Sequence, residues 1–488
     1  MRIIIDKLLF TIVFVVILVF IAYQYYSLAE ELYSSELNRS GKGYVSDEVW
    51  YVNSARNILL KVFNVKPRIY DNLYGVSIVY NNTLINASYI ESVIIENKLN
   101  ISIVDKRYSK INAIYLESSN PDELVKLINI LKNTSGVLDT VWGWRIGDAR
   151  KINEYFNLEH PPLFKYLICL SMYLVSDNPF NWRIPSIVAG LLTVFFIFLA
   201  SFKLTGNKWL SLVVTLFTGL DPIMRIMSSI GLIDIYVALF TSITMYLVFS
   251  KKYRLALLIS IIGSLFKFTS LFLLIPVLII IIREKLRKEP SIVTLTMNTL
   301  IYSLLSLLIF IIIQIIVSIP LINYFGFNKW FYLSFINALK WHTSSKCTGP
   351  GCPVSSSPWD WFIGNNVFTI YYFSKENSLS ATGFWPLWLI SLIYSILFIP
   401  IYRFDRRFRL ILLFFITQFF GYILLYVIGN RTQYSFYSVH FTPIVYLNLI
   451  YSFTYIVFDF NKLRKVFIHW RELFNKIWST LLWILILK

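Results

Sequence analysis

The sequence predicts a polytopic α-helical membrane protein. Of its 488 residues, 57% are hydrophobic, and the mean hydropathy is +0.62. Several apolar runs are long enough to cross a bilayer core of roughly 30 Å, which takes about 20 helical residues. The basic residues lie mainly in short loops between these runs, which is typical of membrane topology.

The formal net charge of +18 could suggest a nucleic-acid partner, but its distribution argues against one. Residues 30–160 contain 15 Lys or Arg and 16 Asp or Glu, out of 45 and 27 in the whole chain. The basic excess therefore belongs to the loops of the membrane part, and the positive-inside rule places these loops in the cytoplasm. We expect a multi-pass protein of the cell (plasma) membrane with a cytoplasmic N-terminus.

The N-terminal apolar run is too long for the core of a signal peptide and lacks a small-residue cleavage site. We therefore expect residues 1–27 to form the first transmembrane helix and residues 28–160 to form an exterior loop. Apolar residues recur at helical spacing over residues 47–63, which predicts an amphipathic helix on the membrane surface.

Residues from about 68 to 140 have the composition of a small soluble α/β insert. A helix opened by Asn120-Pro121 is expected to run to about Lys132. The predicted strands are Gly75–Tyr80, Ser92–Ile95, Ile101–Val104 and Ile111–Leu116.

Residues 161–320 are predicted to form the membrane core. The segment at residues 161–176 is too short to cross comfortably and carries Lys165, so we place it in the outer interface. A second exterior loop at residues 321–383 is followed by transmembrane helices in residues 384–488. The later predicted spans are 184–202, Trp209–Met224, Ile230–Phe249, Leu255–Phe266, Phe268–Ile282, Asn298–Pro320, Phe384–Tyr402, Leu410–Ile428, Tyr434–Phe458 and Trp470–Leu487, the last being optional.

Two cysteines in the second exterior loop flank a Gly-Pro-Gly turn. Cys347 and Cys352 are predicted to form a small disulfide ring, because the exterior is oxidising. Two cysteines without nearby histidines give little support to a zinc site.

This topology brings many polar side chains to the exterior end of the bundle. Each one alone could be an ion pair that ties helices together, since charges at membrane depth need partners. Their convergence favours a site in which cations hold a lipid phosphate while a carboxylate acts as a base. The set comprises Asp47, Glu48, His160, Lys165, Arg183, Asp221, Arg225, Asp234, Lys267, Trp359, Asp360, Trp361 and Arg431.

Seven motifs in order resemble those of the protein O-mannosyltransferases, which are membrane glycosyltransferases of the GT-C fold in glycosyltransferase family 39. The resemblance omits the insert and implies a GT-C bundle, for which the apolar runs predict about 10–11 transmembrane helices. The motifs are Asp47-Glu48, His160-Pro-Pro-Leu-Phe-Lys165, Asn178-Pro-Phe-Asn-Trp-Arg-Ile-Pro-Ser186, Leu220-Asp-Pro to Ile233-Asp234, Gly263 to Lys267-Phe-Thr269, Ser357-Pro-Trp-Asp-Trp361 and Arg431-Thr-Gln-Tyr-Ser-Phe-Tyr437 with Pro443.

The resemblance implies inverting transfer of mannose from a polyprenyl (dolichyl) phosphate donor to Ser or Thr hydroxyls of exported proteins. It makes Asp47 the catalytic carboxylate and Glu48 a neighbour that holds the acceptor. Donor-phosphate binding is expected from His160, Lys165, Arg183, Arg225, Lys267 and Arg431; Asp234 is a supporting residue or cation contact, and Trp359, Trp361 and Tyr437 border the acceptor or sugar.

The chain departs from the family pattern in the fourth helix, where Ser229 replaces the usual Arg and Arg225 lies one turn earlier. The proposed chemistry requires no cofactor, because a phosphate is already a good leaving group, although a divalent cation and a dimer are left open. The alternatives are a GT-C transferase that moves another sugar to a lipid or lipid-linked glycan, and a transporter. A transporter should show inverted repeats, which we do not find.

Overall fold

The structure is a computed structural model that describes residues 2–132, 134–347, 349–457 and 460–486. The predicted span ends at Phe458 and Leu487 lie outside the described residues. The α-helices are α1 (Arg2–Arg39), α2 (Glu48–Lys61), α3 (Ala87–Glu96), α4 (Pro121–Lys132), α5 (Leu163–Leu174), α6 (Ile184–Thr205), α7 (Lys208–Leu220), α8 (Pro222–Ser228), α9 (Asp234–Phe249), α10 (Tyr253–Gly263), α11 (Leu274–Leu286), α12 (Ile292–Phe325), α13 (Phe327–Phe331), α14 (Ala338–His342), α15 (Trp385–Leu397), α16 (Arg406–Ile428), α17 (Thr442–Val457) and α18 (Phe460–Ile486). The strands are β1 (Tyr74–Tyr80), β2 (Ser102–Asp105), β3 (Ala113–Ser118), β4 (Val137–Trp142), β5 (Thr369–Tyr372) and β6 (Ser378–Ser380).

The predicted helical membrane class with a small α/β insert is confirmed. Among the described residues, four helices are long and apolar enough to cross a membrane, or up to six if two bent helix pairs each count as one span. The four are helices at Asp6–Arg39, Asn181–Thr205, Ile292–Phe325 and Arg406–Ile428. The predicted number of 10–11 spans stays a prediction.

The bundle is built around α6 and α9, which pack against each other, with α7 beside α6 and α10 beside α9. Nearly every residue of α9 is buried, so this helix forms the centre of the apolar core. The helix has 16 residues and, at about 1.5 Å per residue, spans roughly 24 Å. Its N-terminal residue, Asp234, and the basic residues after its C-terminus therefore lie at opposite ends of the bundle.

The insert is a β-α-β-β-α-β unit with the sheet order β2-β3-β1-β4. All neighbouring strands are antiparallel, and Val76 of β1 lies opposite Leu116 on one side and Trp142 on the other. This is the split β-α-β arrangement of ferredoxin-like domains. Ile90 of α3 and Leu127 of α4 are buried in the core between these helices and the sheet.

One predicted strand in the insert is wrong, because residues Ser92–Ile95 lie inside α3. Asn86 caps this helix, and its side-chain oxygen accepts a hydrogen bond of 2.9 Å from the Tyr89 backbone N–H. Of the apolar residues that suggested a strand, Val93 and Ile94 lie on the buried face of this helix and Ile95 is exposed. Strand β4 was not predicted, and it takes the edge position beside β1.

Helix α2 has the predicted position but not the predicted surroundings. Val52, Ala55 and Ile58 have no exposed surface, and the helix packs against α5. Arg56 on the same helix forms a buried ion pair with Asp177, at 2.6 and 2.9 Å. Protein thus covers α2 on most sides, and the placement of this helix at the membrane surface stays a prediction.

Other boundaries also shift. α1 continues to Arg39, beyond the predicted helix end at residue 27, and α12 passes Pro320 and ends at Phe325. The chain breaks between α10 and α11 around Lys267, whose backbone is extended, and a short 3-10 helix follows at Phe268–Leu273. The break in the helix leaves space for a cavity beside Lys267.

Candidate active site

A cavity of about 470 Å³ lies at the end of the bundle where α9 begins. The start of α2, the turn before α5, the break before α11, the loop after α14 and the segment before α17 all contribute to its wall. Its polar or aromatic lining residues include Asp47, Tyr51, Glu159, His160, Asp234, Trp341, Lys267, Lys346, Tyr434 and Tyr437.

Asp47 is the N-cap residue of α2, but its side chain does not cap that helix. Its carboxylate is half-buried, and among the described residues no donor forms a hydrogen bond or ion pair with it. Burial, followed by the nearby negative charge of Asp234, raises its pKa to about 6, while Lys267 and Lys346 act in the opposite direction. Asp47 is therefore an unpaired carboxylate with a base strength suited to neutral pH.

Glu48, the next residue, has a different environment. It is fully buried, and both of its oxygens accept hydrogen bonds of 2.8 Å from Arg183. The backbone N–H groups of Val45 and Gly231 donate to the same carboxylate at 2.8 and 2.7 Å. Arg183 also donates to the carbonyl of Ala29 at 2.9 Å, so both charged groups are saturated and neither lines the cavity.

Lys267 and Asp234 form an ion pair at the base of the cavity. His440 Nε2 lies 3.1 Å from the same Asp234 oxygen, and Nδ1 of this ring contacts the hydroxyl of Tyr422. The Lys267 ammonium also lies 3.8 Å from the centre of the Tyr437 ring, at cation–π distance. Asp234 thereby fixes the position of Lys267 at the wall.

Two histidines stand together above the turn that precedes α5. The rings of His160 and His342 are 5.0 Å apart, and His342 Nε2 lies 3.1 Å from the Glu159 carbonyl. Burial, and then the neighbouring positive charges, lower the pKa of His160 well below its usual value, and burial lowers that of His342 to about 4. Both are therefore neutral at pH 7 and offer hydrogen bonds without charge.

Several predicted phosphate ligands lie away from the cavity. Lys165 donates to the backbone carbonyls of Phe156, Asn157 and His160 and so closes the turn before α5. Arg225 contacts the Gln24 carbonyl at 3.3 Å. The exposed Arg431 guanidinium lies 4.6 Å from the centre of the Tyr426 ring.

The predicted acceptor residues are divided in the same way. Tyr437 lines the cavity, whereas Trp361 is buried and donates to Ser356 Oγ at 2.8 Å. Trp359 is 46% exposed and stacks edge-on against Tyr426. Of the predicted site residues, the structure brings together Asp47, His160, Asp234, Lys267 and Tyr437.

Sequence reasoning missed Lys346, Glu159 and His440. Lys346 lies next to Cys347, and the structure joins that cysteine to Cys352 in the expected disulfide. His440 lies three residues after Tyr437, so the motif that contains Tyr437 pointed to the right segment. In the part of the chain that the structure describes, no three His, Cys, Asp or Glu side chains are grouped to hold a metal ion.

Comparison with known proteins gives a family match for part of the chain. Residues 159–316 match the family model described as dolichyl-phosphate-mannose-protein mannosyltransferase. The resemblance predicted from the motifs is thereby confirmed for this mannosyltransferase-like segment, which includes His160, Arg183, Asp234 and Lys267; Asp47, Trp359 and Arg431 lie outside it.

A polyprenol-phosphate-mannose–protein mannosyltransferase of Corynebacterium glutamicum is 30% identical over 81 residues, which are 17% of this chain and 16% of that protein. The oligosaccharyltransferase of Archaeoglobus fulgidus in its apo form aligns over 95% of this chain and 52% of its own, with 11% identity and a TM-score of 0.43. ArnT from Cupriavidus metallidurans bound to undecaprenyl phosphate aligns over 60% and 50%, with 14% identity and a TM-score of 0.34.

Proposed function

We propose that this protein transfers a sugar, mannose in the first instance, from a polyprenyl-phosphate donor to Ser or Thr hydroxyls of exported proteins. The family match over residues 159–316 supports the donor class and the reaction. One observation carries the mechanism: an unpaired carboxylate, that of Asp47, lines the same cavity as two lysines.

Asp47 is the base in this mechanism. The acceptor hydroxyl attacks the anomeric carbon from the face opposite the phosphate, the new C–O bond forms as the C–O bond to phosphate breaks, and Asp47 takes the hydroxyl proton. The configuration at that carbon inverts. A pKa of about 6 leaves most of the Asp47 carboxylate free to accept the proton at pH 7.

Lys267 faces the departing phosphate. Its ammonium reaches the cavity wall, and the Asp234 carboxylate and the Tyr437 ring hold it in place. A preorganised cation stabilises the negative charge that grows on the phosphate as the bond breaks, without reorganisation during the reaction. Asp234 and His440 thus act as positioning residues behind Lys267.

Glu48 and Arg183 receive a different role from the one that the resemblance implies. Their saturated ion pair joins the start of α2 to the start of α6 and to the Gly231 backbone before α9. It therefore places Asp47 relative to Asp234. We propose that the pair positions the site and contacts neither acceptor nor donor.

The distribution of charge supports an exterior site. α9 starts at Asp234 in the cavity, and Lys251, Lys252 and Arg254 follow its other end. α6 likewise starts beside Arg183 and carries Lys203 near its end. Since basic loops face the cytoplasm, the cavity opens on the extracellular side of the membrane.

The proposal is tested with the purified protein in lipid nanodiscs, radiolabelled polyprenyl-phosphate-mannose and a Ser/Thr-rich peptide. We expect transfer by the wild type and a loss of at least about 100-fold in Asp47→Asn, since a base contributes roughly 10²–10⁴-fold. Asp71→Asn is the matched control, because Asp71 is an exposed carboxylate of the insert loop.

Three other results would change the assignment. Equal transfer by Asp47→Asn and the wild type would show that Asp47 is not the base. Transfer only from donors that carry another sugar, or only to lipid or glycan acceptors, would redirect the substrate within the same reaction. No transfer from any polyprenyl-phosphate sugar would reject the proposed function.

A further inference from the structure

We propose that Lys346 binds the donor phosphate and that the Cys347–Cys352 disulfide holds it at the cavity. This inference rests on the proposed function, since it needs an anionic lipid phosphate in the site. Neither the motifs nor the family match includes this part of the chain: the match ends at residue 316.

The first argument is charge. The cavity has two lysines in its wall, and Lys267 already has a carboxylate partner in Asp234. Lys346 is half-buried, and no carboxylate in the described parts of the chain forms an ion pair with it. Its ammonium lies 5.5 Å from the centre of the Trp341 ring. A cation in this situation lacks the anion that would compensate for its lost hydration.

The second argument is proximity. Burial, and then the positive charge of Lys267, lower the pKa of Lys346 to about 8, while Asp47 acts in the opposite direction. Lys346, Lys267 and Asp47 also line the same cavity. A phosphate placed between Lys267 and Lys346 would receive charge-assisted hydrogen bonds from two sides and would leave its sugar beside Asp47.

The third argument is the way the loop is anchored. The Lys346 backbone N–H donates to Thr432 Oγ1 at 3.0 Å, and Ser345 Oγ donates to the Gly429 carbonyl at 3.0 Å. On the other side, Cys347 lines the cavity and is bonded to Cys352, with a Cα–Cα distance of 5.7 Å. Lys346 is thus fixed between two hydrogen bonds and a covalent ring.

The ring acts locally. It closes a loop with a sequence separation of only five residues, and its Gly349 and Gly351 are exposed at positive φ. Short loops gain the least global stability from a disulfide, whereas a glycine-rich turn without one would cost conformational entropy to hold still. The ring therefore serves to present Lys346 and has little apolar core of its own to stabilise.

The test compares Lys346→Ala and Lys346→Arg with Lys340→Ala, an exposed lysine of α14 that does not line the cavity. Donor KM and kcat are measured, together with equilibrium binding of radiolabelled polyprenyl phosphate. Lys346→Ala should weaken donor and product binding by about tenfold or more, as for the loss of one charge-assisted hydrogen bond. Arginine should restore part of the affinity and Lys340→Ala should match the wild type.

The disulfide is tested by reduction and by the double variant Cys347→Ser/Cys352→Ser. The chain has three cysteines, and the third, Cys169, is a free buried thiol, so dithiothreitol has one disulfide to act on. Both treatments should raise donor KM with little change in kcat or thermal midpoint, and dithiothreitol should have no further effect on the double variant.

Unchanged donor and product binding in Lys346→Ala would overturn the phosphate assignment. Unchanged donor KM after complete reduction would overturn the role of the ring. If the wild type transferred no sugar at all, the proposed function would fail separately, because binding of polyprenyl phosphate needs no turnover and still compares Lys346→Ala with the wild type.

Discussion

Both carboxylate oxygens of Glu48 accept hydrogen bonds of 2.8 Å from Arg183, while Asp47, the residue before it, lines the cavity and has no hydrogen-bond donor among the described residues. Successive residues at the start of a helix point about 100° apart. One carboxylate of the pair thus serves the packing of the bundle, and the other faces the site.

These environments predict opposite effects of two isosteric changes. Glu48→Gln should lower the free energy of unfolding by about 3 kcal/mol, because it leaves the Arg183 guanidinium buried with a neutral partner. Asp47→Asn should leave the free energy unchanged or raise it, since it removes an unpaired, partly buried charge. Chemical unfolding in detergent measures both. Equal destabilisation by the two variants would contradict the division of roles.

The rate should depend on the ionisation of Asp47. A base works only when deprotonated, so kcat/KM should rise with pH up to about 6. It should then stay level until the Lys346 ammonium, with a pKa of about 8, begins to lose its proton. Asp234→Asn should move the rising part of the pH profile to lower pH by about one unit, because it removes a negative charge that favours protonation of Asp47. The pH profiles of kcat/KM for the wild type and Asp234→Asn test this. If kcat/KM rises at the same pH in both proteins, the assignment of Asp47 as the base is disproved.

The ion pair of Asp234 and Lys267 should behave as one unit. Asp234→Asn or Lys267→Met alone leaves a buried charge unpaired, so the double variant should lose less stability than the sum of the singles, by roughly 0.5–3 kcal/mol. A cycle on the exposed helix pair Glu284 and Arg287 is the control and should show coupling below about 0.5 kcal/mol. Equal coupling in the two cycles would mean that burial does not strengthen the pair.

The two tryptophans of the Trp-Asp-Trp motif should separate into a structural and an exposed residue. Trp361→Ala should cost about 3–5 kcal/mol, because the ring is buried against Tyr422 and Phe441. Trp359→Ala should cost less than about 1 kcal/mol. If Trp359 contacts the acceptor, acceptor KM rises in this stable variant; an unchanged KM would remove that role.

The sequence predicted those features that depend on local pattern. Apolar length predicted the helical membrane class, and the turn at Asn120-Pro121 predicted α4 within one residue. Periodicity failed at Ser92–Ile95, where four apolar or small residues fit a strand as well as a helix and the decisive cap, Asn86, lies outside the run. Strand β4 was missed because its position depends on pairing with β1 rather than on its own composition.

The site was predicted in part for a similar reason. Motifs identified Asp47, Asp234 and Lys267, but residue type alone could not tell which cations would be free. The N–H groups of Arg183 and Lys165 form hydrogen bonds with oxygens of the protein itself, and only the packed structure shows this. Lys346 carries no motif, since its place in the cavity is created by the ring and by the contacts of the chain after α16.

The insert enters and leaves the rest of the protein through neighbouring strands. Val76 of β1 pairs with Trp142 of β4, and the Gly143 N–H donates to the Gly75 carbonyl at 2.9 Å. A domain whose two connections lie side by side can be exchanged or shortened to a tight turn without separating the elements that flank it. The insert is therefore a separable domain: its sequence can change at the outer surface without altering the cavity, which is lined by residues of the helical part and of the loops that join its helices.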